Sequence, residues 1–242
     1  MFLPLKDMNP TTRKPVISIS LIAVNVMVYI YQLSLGSANS ALITSLGATP
    51  AEITHMADLV GRTGYNFIHT QGPSPIFLTL FTSMFMHGSI LHVGSNMLYL
   101  WIFGNNVEDI LGPGKFLLFY FLCGLTAHAM HIASDPNSII PTIGASGAIA
   151  GLMAGYLLIF PTARIITLIF LFIFIRLTVM PAYIIIAFWF VLQLINGFGS
   201  LGTIQTGGVA WFAHIGGFLA GIGLTLAMAG DKVTLLNRIR YR

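Results

Sequence analysis

Long apolar runs broken by short polar or glycine-proline stretches dominate the chain. A bilayer-crossing helix needs about 20 apolar residues, and Val16–Leu35 is the first such run. A mixed stretch, 36–86, follows as a first outer loop. Within it "TPAE", Thr49–Glu52, predicts a helix start with Thr49 as N-cap, Pro50 at the first helical position and Glu52 closing a capping box. Ser89–Val107 is the second span, "LGPGK" (Leu111–Lys115) a tight turn, and Phe116–Ala133 the third span. Ser134–Pro141 is a loop. A fourth span starts near Ser146 and ends near Phe160, a fifth covers Pro181–Phe198, and a sixth covers Val209–Ala229 after the loop "GSLGTIQTGG". Arg164–Thr178 is apolar but carries Arg164 and Arg176. The eleven residues between them would rise only ~16 Å as a helix, so the segment reads as an interfacial or re-entrant link with arginines reaching the headgroups.

The expectation is an all-α polytopic membrane protein with six transmembrane helices. Residues 1–15 form a cytoplasmic segment, 16–229 the membrane domain and 230–242 a basic cytoplasmic tail. Six spans put both ends on one side. The inside set is then Lys6, Arg13, Lys14, Lys115, Arg164, Arg176, Lys232, Arg238, Arg240 and Arg242, with Arg62 alone outside, as the positive-inside rule requires. A seventh span at 164–178 would reverse the last helix. Composition agrees: 56% of residues are hydrophobic, only 7% are charged, and mean hydropathy is +0.85, against roughly a quarter charged in soluble domains. The net charge of +4 lies at segment ends, which fits membrane topology rather than nucleic-acid binding. No cleavable signal peptide is visible, and Cys123 has no disulfide partner.

Polar side chains in lipid are costly and invite a functional question. Asn25, Gln193 and Asn196 read as hydrogen-bonding between helices, and His128 and His131 as interfacial. His92 and Asn96, four apart in "HVGSN", share a helix face near the outer end of span two. Ser146 opens span four, and His214 lies five residues into span six. Six-span topology puts all four at a similar depth. Gly147, Gly151 and Gly155 form one small-residue face, and Ala213, Gly217 and Gly221 another. Such faces let helix backbones approach closely. If the two pack together, Ser146 meets His214, a base of suitable pKa for a hydroxyl nucleophile. Gly144, Ala145 and the helix start offer backbone donors for an oxyanion.

With "FMHGSILHVGSN", "VEDILGPGK", "GASGAIAG" and "AHIGGFLAG" in order, the chain from about Thr79 to Gly223 resembles the rhomboid family of intramembrane serine proteases. The resemblance implies a six-helix bundle with a water-filled cavity opening to the outer side. It also implies a Ser146–His214 dyad without a carboxylate, and an oxyanion hole of His92, Asn96 and the Ser146 amide. His87 matches a histidine at the cavity mouth, and Glu108 and Gly112 match structural positions. The implied partners are transmembrane protein substrates and the bilayer, with no cofactor, metal or nucleic acid. Short termini suggest a bacterial inner-membrane member. Two positions depart from the pattern. Leu78-Thr79 replace a Trp-Arg pair of the first outer loop. Ala150 replaces an aromatic residue that stacks on the catalytic histidine, so other packing must hold His214. A metalloprotease lacks its HExxH pattern here, and an aspartyl protease lacks in-span aspartates. A transporter would show charged spans or broken repeats, and an escort without catalysis would have lost Ser146 or His214.

Overall fold

The structure, a computed structural model, describes residues 2–64, 67–171, 174–201 and 208–240, without the side chains of 171, 174 and 233–240. Residues 202–207 of the glycine-rich loop lie outside it. The chain is a membrane-type helical bundle. Helix α1 (Val16–Ser34) is the first span, and α2 (Asn39–Leu46), α3 (Pro50–His55) and α4 (Thr79–Thr82) fold part of the stretch 36–86 that follows it. Span two is one continuous helical rod, α5 (Ile90–Tyr99), a π-helical turn at Leu100–Gly104 and α6 (Asn105–Leu111). It is bent by 82° from the helical stretch Ile76–Phe85 before it. Then come α7 (Pro113–Ser134), α8 (Ser146–Ile159), α9 (Ala182–Gly199) and α10 (Trp211–Arg240). Helices α1, α7, α9 and α10 are each long and apolar enough to cross a membrane. The bent pair would add a fifth if it forms one broken span, and α8 is a shorter apolar helix of 14 residues. The basic tail is a continuation of α10 as far as Arg240.

The link at 164–178 is not helical. It forms a hairpin of β2 (Arg164–Leu171) and β3 (Phe174–Pro181). Residues 2–7 of the N-terminal segment add a third strand, β1 (Phe2–Asp7), giving an antiparallel sheet in the order β1-β2-β3. Phe2 faces Ile169 and Asp7 faces Ile165, with a bulge between Pro4 and Lys6. "RIITLI" is rich in β-branched residues, which favour strands. Pairing also satisfies backbone groups that an apolar loop beside lipid would leave bare. Ile165 and Thr167 face inward, fully buried, while Ile175, Leu177 and Val179 turn one apolar face of β3 outward.

Each end of the bundle is tied by polar groups. At the sheet end the Glu108 carboxylate accepts hydrogen bonds from the Ile17 and Ser18 N–H groups (2.9 and 2.8 Å) and from the Ser18 hydroxyl (2.8 Å). These N–H groups open α1 and have no intrahelical acceptor, so Glu108 of span two caps span one. Next to it Asp109 accepts from Thr12 and Arg13 N–H. Gly112 turns into α7 with φ +78°, a conformation that favours glycine. At the other end the stretch 36–86 grips the segment leading to Ser146. Ala48 and Thr142 exchange two backbone hydrogen bonds (3.0 and 2.9 Å), and Ala51 N–H donates to the Ser138 carbonyl. The capping box does not form. Pro50 does occupy the first turn, but the Thr49 hydroxyl is buried without a partner. Glu52 instead accepts from Leu59 N–H at 3.1 Å and lies 3.3 Å from His69 Nδ1.

Replacing Glu108 with Ala strands two buried helix-start donors and should lower stability by ~2–3 kcal/mol. A fall in the thermal denaturation midpoint of detergent-purified protein checks this, and an unchanged midpoint contradicts the capping role.

Candidate active site

Helix α8 is the centre of the bundle: nearly every residue from Gly147 to Ile159 is buried. It owes this to its glycines and alanines, which let four neighbours close on it. A Cβ on Gly217 would collide with the Gly147 carbonyl oxygen, and one on Gly221 with that of Gly151. A Cβ on Gly155 would come within 2.9 Å of the Thr225 hydroxyl, and one on Gly147 within 2.5 Å of Ala127 Cβ on α7. The small faces of α8 and α10 therefore do meet, as expected from Gly147, Gly151, Gly155, Gly217 and Gly221.

That contact brings together the first residue of α8 and the fourth of α10. Ser146 Oγ and His214 Nε2 are 2.8 Å apart. His214 is buried, and its Nδ1 lies 2.8 Å from Gln193 Oε1 on α9. Ala150 lines the cavity beside this pair but has no ring to stack, so the packing that holds the imidazole comes from α9 and α10. The Trp189 ring lies 5.6 Å from it at 38°, and the Trp211 ring 6.4 Å away, edge-on. Ser146 and His214 open onto a cavity of about 1060 Å³ that Gly144, His92, Asn96, His128 and Trp189 also line.

Gly144 is closely approached by span two. Its φ is +123°, and a Cβ there would lie 2.8 Å from His92 Nε2 and 3.7 Å from Asn96 Nδ2. The two side chains of span two thus reach the backbone just ahead of the serine. His92 Nδ1 accepts from Gly88 N–H at 3.4 Å, which leaves the ring proton on Nε2, the atom facing Gly144. Asn96 Nδ2 donates one hydrogen to His87 Nε2 at 2.9 Å and has a second to offer. The first backbone bond of α8 runs from Ile149 N–H to Ala145 C=O. The Ser146 N–H precedes it and is one of the donors a helix start leaves over.

Several expectations need correcting. His87 does not line the cavity. It is fully buried behind Asn96, its backbone clamped on both sides by the Gln32 amide of α1. Ala145 is fully buried and also off the cavity wall. Gly144 N–H is no oxyanion donor, because it donates to the Ser83 carbonyl at 2.9 Å. His128 is buried in the bundle rather than interfacial, 3.1 Å from the Ser83 hydroxyl. Asn25 and Asn196 bond back to Leu21 and Leu192 of their own helices, so neither bridges helices. Before span two, Thr79 turns its hydroxyl to the Ile76 carbonyl at 2.7 Å. Sequence reasoning missed Gln193 and Trp189. Their spacing of four, facing the helix that carries His214, was the available signal.

Comparison with known proteins agrees with this architecture. Residues 75–230 match the Rhomboid domain family model. The chain belongs to the rhomboid family. It is similar to the Bacillus subtilis Rhomboid protease GluP, with 29% identity over 90% of this chain and 36% of that protein. Human Presenilin-associated rhomboid-like protein, mitochondrial, is 32% identical over 38% of this chain and 24% of its own length. Yeast Rhomboid protein 1, mitochondrial, is 29% identical over 38% of this chain and 28% of its own. This rhomboid chain thus spans about a third or less of the length of these relatives.

The contact between α8 and α10 gives a paired test within this rhomboid bundle. Gly217→Ala should destabilise by ~1–3 kcal/mol through overpacking against the Gly147 carbonyl. Gly223→Ala, on the same helix with open space at its Cβ position, should be neutral or mildly stabilising. Thermal midpoints of the two variants in one detergent check the contrast, and equal midpoints contradict the packing.

Proposed function

We propose that the chain is an intramembrane serine endopeptidase that hydrolyses peptide bonds in, or at the edge of, transmembrane segments of other proteins. The observation that carries this reading is the 2.8 Å approach of Ser146 Oγ to His214 Nε2 on the wall of an open cavity. A serine hydroxyl becomes a useful nucleophile only when a positioned base takes its proton. His214 takes that proton as Ser146 Oγ attacks the scissile carbonyl. The developing oxyanion is met by the Ser146 N–H, His92 Nε2–H and the free Asn96 amide hydrogen. His214 then protonates the leaving amine, and cavity water hydrolyses the acyl-enzyme with His214 again as base.

The sidedness follows from charge. Arg13, Lys115, Arg164 and Lys232 gather at the sheet end, where the Lys232 ammonium donates to the Ile110 carbonyl. That end, with residues 1–15 and 230–242, is cytoplasmic in this reading, and the dyad lies near the outer face of the 16–229 membrane domain. We assign the protein to a bacterial inner membrane, the substrates being membrane proteins. A helical substrate must unwind before its carbonyls become accessible, so segments with small or helix-breaking residues near the outer face are preferred.

Ser146→Ala should abolish cleavage of a model transmembrane substrate, a loss of at least ~10³-fold, with the thermal midpoint unchanged. A serine-directed fluorophosphonate should label the wild type but not Ser146→Ala, and should label His214→Ala far more slowly. Full labelling of His214→Ala, or cleavage by Ser146→Ala, contradicts the dyad.

A further inference from the structure

The dyad histidine has a second partner whose orientation is fixed by a third group. Gln193 Oε1 lies 2.8 Å from His214 Nδ1, and Gln193 Nε2 lies 3.1 Å from the Trp189 carbonyl oxygen, one turn earlier on α9. A carbonyl oxygen can only accept, so the amide nitrogen of Gln193 must face Trp189. The amide oxygen then faces His214, and it too can only accept. His214 therefore carries its proton on Nδ1, which leaves the Nε2 lone pair for the Ser146 hydroxyl 2.8 Å away. The chain of donors runs one way: Ser146 O–H to His214 Nε2, His214 Nδ1–H to Gln193 Oε1, Gln193 N–H to the Trp189 carbonyl. Gln193 and His214 are both buried, so water does not readily substitute for a lost member. Trp189 takes part twice, since its ring also packs beside the imidazole.

We propose that Gln193 is the positioning residue of this active site, setting the tautomer and ring orientation of His214 through an amide rather than a carboxylate. The inference rests on the Ser146–His214 reading above. Its chemical consequence differs from that of a carboxylate triad. A neutral acceptor fixes the tautomer but adds no charge to stabilise the imidazolium, so the base stays less basic than one beside a carboxylate. Without Gln193 the buried Nδ1–H has no acceptor, and the ring shifts to the tautomer with its proton on Nε2, which cannot take the serine proton. The other titratable groups around the cavity are His92 of α5, Tyr99 at its end, His128 and His131 of α7, and Asp135 just after α7. None of them hydrogen-bonds His214, and all stay unchanged in the variants below.

Gln193→Met keeps the length of the side chain and removes both polar atoms, whereas Gln193→Glu keeps the acceptor and adds charge. In Gln193→Met, kcat should fall about 10- to 100-fold with KM within about twofold and the thermal midpoint close to wild type. Gln193→Glu should keep kcat within about tenfold and move the acid limb of the kcat/KM profile about one pH unit or more higher. Imidazole nitrogen NMR on histidine-labelled protein near pH 8 should show His214 protonated at Nδ1 in the wild type and mainly at Nε2 in Gln193→Met. Wild-type kcat in Gln193→Met, or equal losses in both variants with an unmoved pH profile, overturns the proposal. So does a wild-type His214 protonated at Nε2. The NMR result stands without catalysis: a wild type with the Nδ1 tautomer but no cleavage or probe labelling sinks the protease reading and leaves the positioning role intact.

Discussion

The geometry of the candidate site depends on one backbone contact, the meeting of α8 and α10 at Gly147–Gly217 and Gly151–Gly221. In lipid there is no hydrophobic force to press helices together, so close van der Waals approach must do the work. Glycine on both sides lets carbonyl oxygens of one helix fit where side chains of the other would stand. The spacing this sets is what allows a short serine and a histidine at two helix starts to reach 2.8 Å. A larger residue on either face would push α10 away from α8, and the imidazole with it.

Close packing fixes the depth and spacing of the dyad, and polar ties fix everything around it. Glu108 joins spans one and two at the sheet end. The Gln32 amide binds both backbone groups of His87, whose Nε2 in turn holds Asn96. The Ser83 carbonyl anchors Gly144, and His128 touches the Ser83 hydroxyl. These contacts form a second tier behind His92, Asn96 and Ser146. They account for buried polar side chains that would otherwise be an expense in an apolar setting. They also explain why His87, which the family resemblance put at the mouth, is found behind the wall: its role is to hold a donor.

The sequence made the helical frame legible because apolar run length is a strong signal. The start of α8 at Ser146, the turn at Gly112 and the end of α1 fall where the pattern changes. The approach of Ser146 to His214 was legible for a different reason. A six-span reading of the sequence puts both, with His92 and Asn96, at one depth, and small-residue faces on their two helices then bring them together. The sheet was not legible. A two-strand apolar hairpin has the same composition as a helical link, and its third strand comes from residues 2–7, some 160 positions away in the chain. Gln193 was hidden because a lone in-span glutamine usually ties helices together, and this one does so too. Only the identity of its partner, the second nitrogen of His214, separates packing from positioning.

The length of α8 connects these levels. Fourteen residues rise ~21 Å, well short of a ~30 Å hydrocarbon core. A helix that short, buried on nearly all sides and ending at Phe160 just before the hairpin, must begin below the far surface. The space above it holds the cavity lined by Gly144, Ser146 and His214. A short central helix surrounded by longer ones supplies that space without a break in any lipid-facing helix, since α1, α7, α9 and α10 are each long enough to cross a membrane. The small residues that let α8 be central are thus the same ones that put its first residue at the floor of the cavity.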